Sequence, residues 1–162
     1  MKIKKIIEDL KKRKEVKDIL KNDGFLVSML SMIEPEDKIK NWNIGFYDPK
    51  NKKITEIHVS DEGVKVEKPD QPLREITNNP DENKIKISPE EALKIAKGEL
   101  EKYDSSAKKI IISFQFKEKE IWNVTFISKM GTLINIEIDV TNGEILNSDK
   151  KSLFQKGSSV AG

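Results

Sequence analysis

The sequence has no cysteine, which removes disulfides, thiolate nucleophiles and cysteine zinc sites together. It has a single histidine, His58, so imidazole catalysis or metal ligation would have to run through that one ring. Net charge is nearly absent too, because 30 Lys and Arg face 28 Asp and Glu and leave +2. The balance is local as well as global: 17 basic and 15 acidic residues in 1–80, then 13 of each in 81–162. Neither half has the field that phosphate-backbone binding needs. The opening MKIKKIIEDLKKRKE lacks the apolar core of a signal peptide, and no later stretch approaches a membrane span. A soluble, cytoplasmic chain is expected, with neither nucleic acid nor membrane as partner. A chain trimmed of an export signal would read the same and would be exported instead.

Chemical motifs are scarce. There is no phosphate-cradling glycine motif and no G-x-S-x-G elbow, so no cofactor is expected and nucleophilic hydrolysis has no positioned serine. A hydrolase using His58 is the weakest of the readings. The stretch DPKNKKITE (48–56) has an Asp and a Glu but not the alternating oxygen ligands of a calcium loop, so no metal site is expected. The basic run KKRK (11–14) is interleaved with Glu8, Asp9, Glu15 and Asp18, which reads as a solvated mixed-charge helix face. The chain is expected to be non-enzymatic.

What is present is repetition. The two tryptophans head NWNIGFYD (41–48) and IWNVTFIS (121–128), eighty positions apart. Around each, the same order of elements is predicted. Residues 2–22 read as helix, with Ile3, Ile6, Ile7 and Leu10 on one face and Val16, Ile19 and Leu20 on another, so the pattern gives two short helices or a bend near Lys14. Asn22, Asp23 and Gly24 supply a left-handed stop. FLVSMLSMI (25–33) has strand length, with a helical reading open. Trp42, Ile44 and Phe46 alternate with polar or small residues as a strand with one buried face, and ITEIHV (54–59) and VKVE (64–67) follow.

The segment KPDQPLREITNNPDEN holds three prolines and reads as a joint, with Leu73 and Ile76 as candidate anchors. SPEEALKIAKGELEKY then places Ser88 as a helix cap, Pro89 at the first helical position and Glu91 to complete a capping box. Four alternating stretches follow, based on Ile110–Phe116, Trp122–Phe126, Ile134–Val140 and EIL (144–146). With the tryptophans in register Ile54 falls on Ile134 and Gly63 on Gly143, whereas Ile57 and Val59 run one residue out of step with Ile136 and Ile138. A bulge or a loop of different size in one copy would account for that.

ISPEEALKIA, WNVTF and above all IEIDVTNGEIL resemble the PepSY domain family, named for peptidase propeptides and a spore-germination protein. The resemblance spans Ile87–Leu146, with a weaker echo in WNIGFYD and VSDEGVKV. It implies an α+β, cystatin-like fold in which a helix packs on a four-stranded antiparallel sheet, no catalytic residues, and binding or restraint of a peptidase or another protein partner. The expected organisation is a degenerate unit at 1–68, a joint at 69–83, a second unit at 84–148 and a flexible tail at 149–162. Two such units are also similar in architecture to the tandem β-lactamase inhibitor proteins.

On this reading the tryptophan faces are core, and the opposite face of the sheet is the candidate surface. It would display Tyr47 and His58 from the first unit and Asn123, Thr125, Ile127 and Asn135 from the second. A homodimer that buries leftover apolar surface is the alternative to a foreign protein partner. Ser88→Ala should cost about 1 kcal/mol of stability in urea unfolding; an unchanged midpoint would show that the cap contributes nothing.

Overall fold

Strands form wherever polar and apolar side chains alternate, and helices where apolar residues recur every third or fourth position. The computed structural model describes residues 2–103 and 106–152. Helices α1 (Ile3–Lys11) and α2 (Lys14–Lys21) precede β1 (Phe25–Ile33), β2 (Trp42–Asp48), β3 (Lys53–Ser60) and β4 (Gly63–Val66). Helix α3 (Pro89–Leu100) precedes β5 (Lys109–Lys117), β6 (Lys119–Ile127), β7 (Thr132–Asp139) and β8 (Ile145–Ser152).

The amino-terminal helical segment is two helices, because Arg13 is extended between them and each buries its own short face. The left-handed residue that ends α2 is Asp23, at φ 62°. Gly24 is required for space instead: a Cβ there would lie 2.3 Å from Ile19 Cγ2 and 2.6 Å from the Tyr47 carbonyl oxygen. Helix α3 begins with a complete capping box, in which the Ser88 hydroxyl accepts from the Glu91 amide at 3.0 Å and the Glu91 carboxylate accepts from the Ser88 amide at 3.4 Å.

The strands make one antiparallel sheet of eight, in the order β4-β3-β2-β1-β5-β6-β7-β8. The two predicted runs of four strands thus join edge to edge in one continuous sheet. β1 and β5, the first strand of each run, pair from Met29–Phe114 to Ile33–Ile110. Both are nine residues long and rich in apolar side chains, so each would be an adhesive edge if left bare, and pairing them removes two edges at once. β1 also carries a bulge, since its register against β2 shifts between Leu26 and Ser28.

All helices lie on one side of the sheet, and a single core fills that side, running from Ile3 and Leu10 through Met29, Ile44 and Ile57 to Ile112, Val124 and Ile136. Both tryptophans are fully buried in it. β2 and β6 are separated by β1 and β5, about 14 Å at ordinary strand spacing, yet the two indole rings are 6.0 Å apart. Each indole therefore leans inward over the central pair. Trp122 Nε1 donates to the Ile87 carbonyl at 2.8 Å, which ties the start of α3 to the sheet.

The joint is held at a few points. Ile54 and Asp70 exchange backbone hydrogen bonds at 2.8 and 2.9 Å, Lys11 reaches Glu82 at 2.6 Å, and the Asp81 amide donates to Glu120 at 2.8 Å. Leu73 does not anchor it, being fully exposed, whereas Ile76 is half-buried. β8 continues to Ser152, so residues 149–152 of the expected tail are strand; the rest of that tail lies outside the described residues.

Trp122→Ala should destabilise the protein by about 3–5 kcal/mol in urea unfolding, since it removes a large buried ring and leaves the Ile87 carbonyl without its donor. A loss under about 1 kcal/mol would show that the indole is not a core element.

Candidate interaction surface

Helices cover one face of the sheet and leave the other open. Tyr47, His58, Asn123, Thr125, Ile127 and Asn135 all lie on the open face, because each alternates with a buried residue that points toward the helices. They fall into two groups. Asn123, Thr125 and Ile127 line β6, and Thr125 Oγ1 donates to Asn135 of β7 at 2.8 Å. Tyr47 and His58 stand on β2 and β3, with β1 and β5 in between.

The strands in between contribute Leu30, Met32 and Ile111, which sequence reasoning did not place on this face. Leu30 and Met32 are 38% and 47% exposed, among the few large apolar side chains left in solvent. Ile111 is paired with Met32 across the central junction. The available signal was the alternation Leu26, Met29, Ser31, Ile33 against Leu30 and Met32, which needed β1 to be fixed as a strand and its bulge to be known.

One row crosses every strand. At its centre Leu30 lies opposite Asn43 on one side and Ser113 on the other, and Ser113 lies opposite Asn123. His58 and Lys65 extend it one way, Glu137 and Asn147 the other. In a chain that is 36% charged, the open-face positions of β2, β1, β5 and β6 carry charge only at strand ends, at Lys109, Lys117 and Lys119. Two of these are neutralised in place: Lys117 pairs with Glu137 at 2.7 Å and Lys119 with Asp139 at 3.3 Å.

The neutral polar side chains are largely paired with one another. Asn123 donates to Gln115 at 3.1 Å, Gln115 donates to Ser113 at 2.9 Å, and His58 Nδ1 donates to Asn43 Oδ1. His58 Nε2 faces a Glu67 oxygen at 3.4 Å. Both ring nitrogens are thus engaged by an amide and a carboxylate, an arrangement that holds the ring in place and offers it no nucleophile to activate. Among the described residues no group of three or more His, Asp or Glu side chains is arranged to hold a metal ion. Among them, too, no helix is long and apolar enough to cross a membrane.

A cleft of about 720 Å³ lies between α2 and the ends of β2 and β3 and includes Asp48. Burial pushes the Asp48 carboxyl up, but hydrogen bonds from the Asn51 side chain and amide, Asn22 and the Lys50 amide outweigh it and hold the group below its ordinary value. Those four bonds, at 2.8–3.2 Å, occupy both oxygens, so Asp48 fastens a hairpin to a helix. Asp139 is similar. Burial raises it, and the Thr141 hydroxyl and amide together with Lys119 lower it further.

A carboxyl held below its unfolded value stabilises the fold where it is ionised; that contribution is complete above about pH 4 and is lost as pH falls through the folded value. Asp139→Asn should therefore lose less stability than the wild type as pH drops from about 5 to about 2, read as urea midpoints. Parallel acid limbs in the two proteins would show that the carboxylate is not linked to folding.

Residues 86–149 match the family model described as the PepSY peptidase propeptide and YPEB domain. No curated protein sequence matches the chain. A crystal structure from Clostridium difficile 630, described as a "putative lipoprotein", superposes with a TM-score of 0.63 at 16% identity and covers 93% of each chain, a likeness of fold alone. The residues that match the PepSY family model hold the capped helix α3, the Trp122 strand and the turn after Asp139.

Proposed function

We propose that the protein is a non-catalytic protein-binding module that works through the open face of its sheet. The observation that carries this reading is the depletion of charge from the middle of that face in a chain so rich in charge elsewhere. Loss of charged residues from the centre is the compositional mark of a contact surface, whereas a merely solvated sheet face has no reason to avoid lysine and glutamate. The sheet edges are poorer candidates. β4 has four residues, and β8 carries Asp149, Lys150 and Lys151, both of them devices that discourage strand addition.

The module is built from two PepSY-like units, at 1–68 and 84–148, joined by 69–83. Each unit contributes helix and then four strands. The pairing supports a two-fold relation: Leu30 opposes Asn43, Ser113 opposes Asn123, and Leu30 opposes Ser113. Because Asn43 and Asn123 are eighty apart, an axis through the Leu30–Ser113 pair carries β1 and β2 onto β5 and β6. The separation falls to seventy-nine at the next strand, where Val59 opposes Trp42 and Ile138 opposes Trp122. Six residues lie between Tyr47 and its partner Ile54, against five between Ile127 and Leu133. That one extra loop residue accounts for the out-of-step alternation of Ile57 and Val59.

The family's description favours a peptidase as the partner class. The description of the Clostridium difficile protein favours an exported chain over a cytoplasmic one. Tyr47→Glu with Ile127→Glu, one on each side of the face, should abolish retention of the proteins held by immobilised wild type while leaving the melting temperature nearly unchanged, because both side chains are partly exposed. The same retained set on both columns would overturn the open-face reading.

A further inference from the structure

Resting on that reading of the open face, we propose that its resting occupant is a second copy of this chain, the two sheets stacking face to face about the Leu30–Ser113 pair. Three observations converge on this.

The first is size. Eight strands spaced about 4.8 Å, with roughly 20 Å of paired length, present about 800 Å², which is what each partner contributes to an interface of ordinary size. Two sheets with the same twist stack in this way, about 10 Å apart, in every β-sandwich.

The second is the distribution of polarity. Leu30, Met32 and Ile111 cluster at the central junction, with neutral amides and hydroxyls on the neighbouring strands β2 and β6. Lys109 lies two residues from Ile111 on the same face and, with Glu34, Asp37, Lys38 and Lys40, lines a cleft that includes Met32. Further charges of both signs lie toward the sheet edges. On one flank these are Glu56, Lys65 and Glu67, and on the other Lys117, Lys119, Glu137 and Asp139. Apolar centre and mixed-charge margin is the anatomy of a protein interface. A margin with both signs and a net charge of +2 places no like-charge barrier between two copies, as a uniformly basic or acidic face would.

The third is that most of the polar side chains on the face are already paired, with Asn123 Oδ1 the buried exception. The Asn123–Gln115–Ser113 chain, the Thr125–Asn135 bond and the His58–Asn43 bond are made within one molecule. Covering groups that are already hydrogen-bonded spares most of the desolvation penalty that opposes burial of a free amide. Such a face needs few donors or acceptors from its partner beyond a donor for Asn123 Oδ1, which suits an identical face. A two-fold contact requires one patch to complement itself, and the central position of Leu30 lets it meet its own counterpart.

The copy covers Tyr47 and Ile127 on this geometry, so self-association and capture of a foreign partner compete. The absence of cysteine allows a clean test. Sedimentation of the full chain at about 200 µM should show a dimer, and Leu30→Glu should shift it to monomer by at least about tenfold in Kd. The circular dichroism melt of the variant should match wild type, since Leu30 is already partly exposed. Leu30→Cys should form a disulfide-linked dimer on mild oxidation, and Lys5→Cys, exposed on α1 behind the sheet, should not. A wild-type monomer at that concentration, a dimer that survives Leu30→Glu, or equal cross-linking from Leu30 and Lys5 would overturn the proposal. If the wild type is monomeric and Tyr47→Glu with Ile127→Glu still loses its retained proteins, the second copy fails and the open-face reading stands. If a Leu30-dependent dimer forms and the retained set is unchanged, the second copy stands and capture of a foreign partner on this face fails.

Discussion

The contact between Trp42 and Trp122 over the β1–β5 junction is the constraint on which the rest of the molecule depends. Each indole belongs to a strand one step away from the junction, and each leans across it. The effect is that the apolar layer beneath α1 and α2 and the layer beneath α3 are a single core, and a sheet of eight strands is held by one continuous packing interaction on one side. A sixty- to eighty-residue unit folding alone would bury a smaller fraction of its apolar surface and would depend on help from outside. Here each half supplies that help to the other.

One consequence is the bareness of the opposite face. Three short helices, at nine, eight and twelve residues, are all spent on the tryptophan side, and nothing remains in the described chain to cover Leu30, Met32 and Ile111. The polar side chains around them respond by pairing with each other, most clearly in the run from Asn123 through Gln115 to Ser113. Such pairing fixes rotamers and lowers the cost of excluding water. The same cannot be said of the Asp48 cleft, where every carboxylate bond goes to a neighbour that it locks in place, so that cleft is the less informative feature.

Much of this was legible in residue order. Period-two alternation marked β2, β5, β6 and β7, and Ser88, Pro89 and Glu91 marked the start of α3, because these signals are local. What could not be read was which strands meet across the joint, since pairing of β1 with β5 is a contact between residues roughly eighty positions apart and no local pattern encodes it. That gap also hid Leu30, Met32 and Ile111. Asp23 and Gly24 show a subtler limit: the sequence asked for a left-handed residue and offered two candidates, and the choice fell to the one whose neighbour had no room for a Cβ. Hydrophobicity makes both Leu73 and Ile76 candidate anchors, but Leu73 is exposed, and the joint is held by backbone bonds at Asp70 and by Glu82 and Glu120.

On the two-unit reading, the residues that the axis relates differ in kind according to the face they occupy. Toward the helices Trp42 matches Trp122, Phe46 matches Phe126 and Ile44 matches Val124. On the open face Gly45 matches Thr125, Tyr47 matches Ile127, Met32 matches Gln115 and Ser28 matches Ile111. At the three helix-side positions shape is kept, as close packing penalises a change of volume, whereas the equally buried Ser31 matches Phe114. On the open face Asn43 and Asn123 are the same residue, but at the other four pairs the two members differ in shape, and yet neither member is charged. What is held there is neutrality without identity. A pocket for one small ligand would fix particular donors and acceptors; a broad contact asks only that no unpaired charge be buried, and that is the pattern these two half-faces share.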